Sequence, residues 1–287
     1  VIMDNVNELY HHGVKGQKWG IRRYQNNDGT LTPQGISRYQ KQMNKRADKA
    51  LDRTDLTKER TIPAGTKMYR TSSNSDENLK GSTYVSYLDV DRDHYKNGWI
   101  RQTAKTDSAY EYSFTLNKDL KIPSRETQQK IISDIVSSNN KKLQETVESW
   151  IDMVMPKGSW SRVEMEVDTG YKQFVKEIMD GWSNMTPDEL AFSASQSLGL
   201  NKNLKNEVIS KLKEQGYNAM ADEASIGGQR GWDKEGYDPL VIFDSSVLTK
   251  NGSKKISKRE ETKAYKKDRK WTRKANNNAV SWSGLYN

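Results

Sequence analysis

The apolar patterning of this chain is confined to its middle. Alternating and helix-spaced apolar residues begin near Ile62 and give out at Thr249, and the stretches outside them are polar and basic. Any core must therefore be assembled from the central part. Composition agrees: 33% of the residues are hydrophobic and 30% are charged, which is too polar for 287 residues packed around cores throughout. The expected organisation is a basic N-terminal arm over residues 1–54, a folded domain over 55–250 and a basic C-terminal tail over 251–287.

Several classes are excluded at once. The chain has no cysteine, so it holds no disulfide framework, no thiolate zinc site and no cysteine nucleophile. Its only histidines are His11, His12 and His94, and none sits in a nucleophile-elbow context. His11 and His12 lack the accompanying carboxylate cluster of a metal site, so no metal is expected. No apolar run approaches the roughly 20 residues that cross a bilayer, and no secretory pattern is visible. The expectation is a protein with no transmembrane segment. A formal net charge of +9 favours nucleic acid, an anionic membrane surface or an acidic partner, and is silent about fold.

Within the central part the periodicity changes along the chain. Thr66–Thr71, Ser82–Tyr87 and Tyr110–Leu116 alternate as strands do, with Met68 and Tyr69 on opposite faces of the first. Ile131, Ile132, Ile135, Val136, Leu143, Val147, Trp150, Ile151 and Val154 then recur at helical spacing. A second stripe runs from Tyr171 to Trp182. Thr186-Pro187-Asp188-Glu189 reads as a capping box with proline in the first turn. A further helix is expected over about 204–215, stopped by Gly216. A short strand over 217–221, a Gly-rich loop over 224–237 and the buried strand Leu240–Phe243 follow. Pro239 implies that this last strand starts there or lies at an edge. Strands, helices and strands again predict an α+β fold with a helical insertion.

Three short segments carry candidate chemistry. They are Met68-Tyr69-Arg70, then Gly81-Ser82-Thr83-Tyr84-Val85-Ser86, then Tyr237-Asp238-Pro239-Leu240-Val241-Ile242-Phe243-Asp244. An Arg ending a first strand, a Ser-Thr-x-Ser strand and a late apolar strand resemble the ADP-ribosyltransferase superfamily over roughly residues 60–250. The resemblance implies mixed sheets with a helical insertion, and NAD as the substrate that supplies the transferred group. It implies that Arg70 holds phosphate or ribose, that Ser82, Thr83 and Ser86 support the pocket, and that Tyr84 or Tyr87 stacks on nicotinamide. A bidentate guanidinium suits the phosphates. A carboxylate suits the cation that builds on ribose as the nicotinamide leaves. The family's catalytic Glu precedes the last apolar strand, where this chain has Pro239. Glu223, Glu235 and Asp238 are the candidates for its role, with Asp222 beside them. The same residues also fit an ordinary half-exposed strand.

A second segment, His11-His12-Gly13-Val14-Lys15-Gly16-Gln17-Lys18-Trp19-Gly20-Ile21-Arg22-Arg23-Tyr24-Gln25 with Asp28–Gly35 after it, resembles a stretch found in bacteriophage head and structural proteins. That implies docking to virion proteins through residues 11–35, and residence in the virion or the host cytoplasm. The basic tail, with Trp271, Trp282 and Tyr286, has the residue types for phosphate contacts and base stacking on nucleic acid. It equally suits a solvated arm or contact with an acidic protein. The combined expectation is a virion-associated or delivered enzyme that modifies a host macromolecule. Its competitor is a non-catalytic virion, scaffold or nucleic-acid-binding protein that reuses the fold.

Overall fold

The computed structural model describes residues 24–49, 58–98, 100–101, 104–222 and 239–283. It begins with a tight turn. Gln25 bridges Leu31, and the Asp28 carboxylate accepts from the Thr30 N–H at 3.0 Å and from its hydroxyl at 2.7 Å. Gly29 supplies the positive φ of 85° that the turn requires. Helix α1 (Pro33–Lys49) follows at once, with the Thr32 hydroxyl accepting from the Gly35 N–H at 3.1 Å.

Few apolar residues mark α1, which is why the sequence predicts it solvated or docked on a partner. It docks on this chain's own body instead. Tyr39 and Met43 pack against a buried cluster, Gln40 Nε2 donates to the Lys67 carbonyl, and Asn44 Oδ1 accepts from the Asp89 N–H.

Strands β1 (Arg60–Ile62), β2 (Lys67–Ser72) and β3 (Thr83–Val85) come next, then helix α2 (Asp89–Lys96) and strands β4 (Tyr110–Leu116) and β5 (Leu120–Ile122). Six helices follow: α3 (Arg125–Val136), α4 (Asn140–Val154), α5 (Trp160–Asp168), α6 (Tyr171–Ser183), α7 (Pro187–Ser195) and α8 (Lys202–Glu214). Their starts are written in the sequence. Ser124, Asn139, Ser159, Thr186 and Asn201 each accept a backbone N–H in the first turn. Thr186 and Glu189 form the expected capping box. Asn139 is also why the apolar stripe from Ile131 to Val154 is two helices and not one continuous region. Gly216, at φ 86°, ends α8. Strands β6 (Ala219–Ala221), β7 (Leu240–Ile242) and β8 (Leu248–Lys255) and the long helix α9 (Lys258–Ser283) are the last of the described elements.

The strands form small antiparallel sheets in the orders β1-β5, β2-β4-β8 and β3-β7-β6. The fold is mixed helix and sheet, compatible with the α+β expectation. Strand β7 is central in its sheet, and Pro239 stands just before its first residue, where no ladder hydrogen bond is lost. Alternation gives this sheet two buried faces. Val85, Leu240, Ile242 and Ala219 meet Met68, Tyr112 and Phe114 of the β2-β4-β8 sheet in one cluster. Met220 and Val241 face the other way, into the helical cluster built on Ile132, Val136, Val147, Ala191, Val208 and Leu212. Truncating a fully buried member such as Ile132 to Ala would cost about 2–5 kcal/mol.

The tail is integral to this arrangement. Strand β8 pairs with β4 from Tyr110↔Lys255 to Leu116↔Leu248. The expected domain limit at residue 250 therefore falls inside a paired strand. Ile256 and Ala264 are buried behind it. The sequence missed this because β8, Leu248-Thr-Lys-Asn-Gly-Ser-Lys-Lys255, has almost no apolar pattern: it is an edge strand exposed along most of its length.

Candidate functional site

Strands β2 and β3 belong to different sheets and are joined by an isolated bridge between Tyr69 of β2 and Ser86, the residue after β3. Tyr69 N–H donates to the Ser86 carbonyl at 2.7 Å, and Ser86 N–H returns a bond at 2.8 Å. Arg70 is the next residue along β2, on the same face as the buried Met68. Its guanidinium reaches across the junction. One terminal N–H donates to the Tyr84 carbonyl at 3.2 Å, and Nε and the other terminal nitrogen both donate to Oε1 of Glu77, at 3.0 and 2.8 Å. The second oxygen of Glu77 is buried without a hydrogen-bond partner among the described residues.

Glu77 escaped the sequence reading. Its only signal is a lone Glu in the polar loop Ser72-Ser-Asn-Ser-Asp-Glu77 between the Arg strand and the Ser-Thr strand.

The remaining predicted pocket residues lie on or beside β3. Thr83 and Ser86 are buried, Thr83 opposite Ile242 and Ser86 opposite Tyr69. Ser82 is half-buried just before β3. Tyr84 is half-buried against the helical cluster, with Lys205 Nζ 5.8 Å from its ring centre. Burial pushes its phenol up to about 12, the Asp222 charge adds to this, and Arg70 opposes it. Tyr87 is buried in the inter-sheet cluster and packs as core.

The catalytic candidates Glu223, Glu235 and Asp238 lie outside the described residues, as does the Gly-rich loop 224–237. Their described neighbours are Asp222 and Pro239. Asp222 follows β6 and its N–H donates to the Pro239 carbonyl at 2.8 Å, so the chain leaves and re-enters the sheet at one point. That point is the Val85 end of β3, opposite Leu240 and level with Arg70. Gln128 of α3 is a second residue that pattern reading missed. Its buried amide exchanges two bonds with the Ala221 backbone, at 2.9 and 3.1 Å, and so completes the free edge of β6 beside Asp222.

Elsewhere, a cleft of about 320 Å³ opens between α3, α4, α6 and α7, with Asp134, Asn139, Asn140 and Trp182 among its walls. None of the sequence-predicted site residues that are described lines it. Among the described residues no group of three or more His, Asp or Glu is placed to hold a metal, and no helix is long and apolar enough to cross a membrane.

Fold and site together define a mixed helix-and-sheet protein with an Arg-carboxylate pair at the junction of two small antiparallel sheets. Comparison with known proteins returns no matching family model, no matching curated protein and no matching solved structure.

Proposed function

We propose that the junction of β2 and β3 is a dinucleotide site and that the protein is an ADP-ribosyltransferase-like enzyme acting on NAD. The observation that carries this is the bond from Arg70 to the Tyr84 carbonyl, with β7 paired directly to the same strand. The Arg70, Tyr84 and Leu240 segments are thus brought side by side, which supports a dinucleotide site. Arg70 would hold the diphosphate, and the Tyr84 hydroxyl and ring would flank the sugar or the nicotinamide. A carboxylate from Glu223, Glu235 or Asp238 would stabilise the ribose cation. The C–N bond between ribose and nicotinamide breaks, nicotinamide leaves with the bonding electrons, and a target nucleophile bonds to the anomeric carbon with loss of its proton. On this reading the target is a host macromolecule, and residues 11–35 attach the protein to a virion.

The Arg70–Glu77 pair favours a second reading, in which the fold serves a non-catalytic virion or scaffold role, because the guanidinium already holds an anion. Calorimetry with NAD separates the two. The enzyme reading expects saturable NAD binding that Arg70→Ala weakens at least tenfold, and transfer of label from NAD to a component of host lysate. Absence of NAD binding at millimolar ligand excludes the enzyme reading.

A further inference from the structure

Helix α9 has two faces of opposite character. The face on the body carries Glu261, Ala264 and Asp268 at helical spacing. Glu261 Oε1 lies 2.9 Å from Arg101 Nε, and Ala264 is buried. Asp268 meets His94 Nδ1 at 3.2 Å and Asn97 Nδ2 at 2.9 Å, while Lys267 at the margin meets Asp93 at 2.9 Å. The helix's remaining acid, Glu260, is occupied by Lys254 at 2.7 Å. Every carboxylate of the helix is therefore taken up by the body or by β8.

The opposite face carries Arg259, Lys263, Lys266, Lys270 and Arg273. At 100° per residue these five fall within about 80° of arc, centred opposite Asp268. All five are exposed, and none has an ion-pair partner among the described residues. They span about 21 Å along the axis, at 1.5 Å per residue.

We infer that this stripe is a docking surface for the phosphate backbone of duplex nucleic acid, bound without sequence preference. An interfacial membrane helix needs an apolar face to insert, and this helix turns its other face to the body. Protein hot spots are enriched in Trp, Tyr and Arg packed in a desolvated centre, and the stripe, with its two Arg at the ends, has no aromatic or apolar member to build one. A straight row of cations with no apolar member matches a polyanion of dense, regular charge, and duplex DNA carries about one charge per 1.7 Å. The inference is independent of the NAD reading, since it uses none of the residues at the β2–β3 junction.

The test is fluorescence anisotropy of the full chain with a labelled 20-base-pair duplex, titrated from low to moderate salt. Five phosphate contacts predict a log–log slope of about −4 to −5, a loss of several hundredfold over a fourfold rise in salt. The variant K263Q/K266Q/K270Q is expected to bind at least about tenfold more weakly at low salt, with the slope reduced by nearly 3. Circular dichroism checks that its helix content is unchanged. The variant R259Q/R273Q, altered only at the ends of the stripe, gives an independent reading of slope if the triple variant is misfolded. Wild-type affinity and slope in a folded variant would overturn the inference. So would failure to bind the duplex at low salt, or tighter binding to phosphatidylserine vesicles or poly-glutamate than to the duplex.

Discussion

Arg70 gives two of its N–H groups to a single oxygen of Glu77, and the other oxygen of that carboxylate is left buried and without a partner among the described residues. A bidentate pair would use both oxygens. The pair is therefore incomplete, and an incoming phosphate would compete with Glu77 for the same guanidinium.

Glu77→Gln keeps the shape and removes the competing charge. It is expected to raise NAD affinity about tenfold if the site binds NAD, while Arg70→Ala lowers it. Arg70→Ala also leaves Glu77 mostly buried without its cation and is expected to cost about 1–2 kcal/mol, discounted because Arg70 keeps a quarter of its exposure. Calorimetry and thermal melting of both variants check this. Equal NAD affinity in the wild type and both variants would disconnect the pair from ligand binding.

Glu111 of β4 is the hub that fastens α2 and the tail to the sheet. Arg92 grips it in bidentate fashion at 2.7 Å from both nitrogens, Lys96 adds a contact at 3.0 Å and Lys254 of β8 one at 3.8 Å. Burial alone would raise its pKa, but the bonds from Arg92 and Lys96 outweigh burial and hold it below the usual carboxylate range. Glu111→Gln would remove the anion shared by Arg92, Lys96 and Lys254; among the described residues Arg92 then keeps only Asp89 at 4.0 Å as an ion-pair partner, and Lys254 keeps Glu260. A loss of about 3 kcal/mol is expected, at the low end for buried pairs because Arg92 is partly exposed.

Acid should loosen the same region. Lys254 and the Ser257 N–H lower Glu260 to about 2, and Glu111 is also depressed in the folded chain. Both carboxylates bind protons more readily when unfolded. Their stabilisation is complete above the ordinary value of 4.5 and is lost as pH falls through the folded values. Melting temperature should fall as pH drops from about 4.5 towards 2, with a shallower fall in Glu111→Gln. An identical pH dependence in that variant would remove Glu111 from the acid response.

A chain ending at Thr249 should be much less stable than one ending at Asn287. The cut removes most of β8, including the partners of Tyr110, Glu111, Tyr112, Ser113 and Phe114, and detaches α9. Limited proteolysis of the intact protein should leave a fragment that includes α1 and extends beyond Ile256. A stable, cooperatively melting fragment that ends near residue 250 would show that β8 and α9 are dispensable.

Gly35→Ala probes the N-terminal turn. A Cβ there would collide with the Tyr24 carbonyl, a backbone atom fixed by the Thr32 N–H bond. The expected cost is about 1–3 kcal/mol, as for other overpacked sites. Gly29→Ala, at φ 85° but in open space, should cost less, about 1 kcal/mol, from backbone strain alone. A larger loss at Gly29 than at Gly35 in thermal melts would contradict the packing shown by α1 and its turn.

Local chemistry made much of the architecture legible in advance. Thr186 to Glu189, Gly216 and the alternation of Tyr112, Phe114 and Leu116 act over a few residues, so a strand face, a cap or a stop can be read where it stands. The Arg strand, the Ser-Thr strand and the Leu240–Phe243 strand were visible as segments for the same reason. Their adjacency was implied only by the family resemblance, because pairing between strands depends on the whole core and leaves no mark in either strand. Glu77 had no readable signal, since a Glu in a polar loop is ordinary until the loop folds it onto Arg70. The tail shows the limit most plainly. Its charge surplus follows from composition, but which of its residues bind the body and which face solvent was decided by tertiary contacts. Asp93, His94, Asn97, Arg101 and Glu111 draw in α9 and β8 through ion pairs and hydrogen bonds, interactions with no hydrophobic periodicity to betray them.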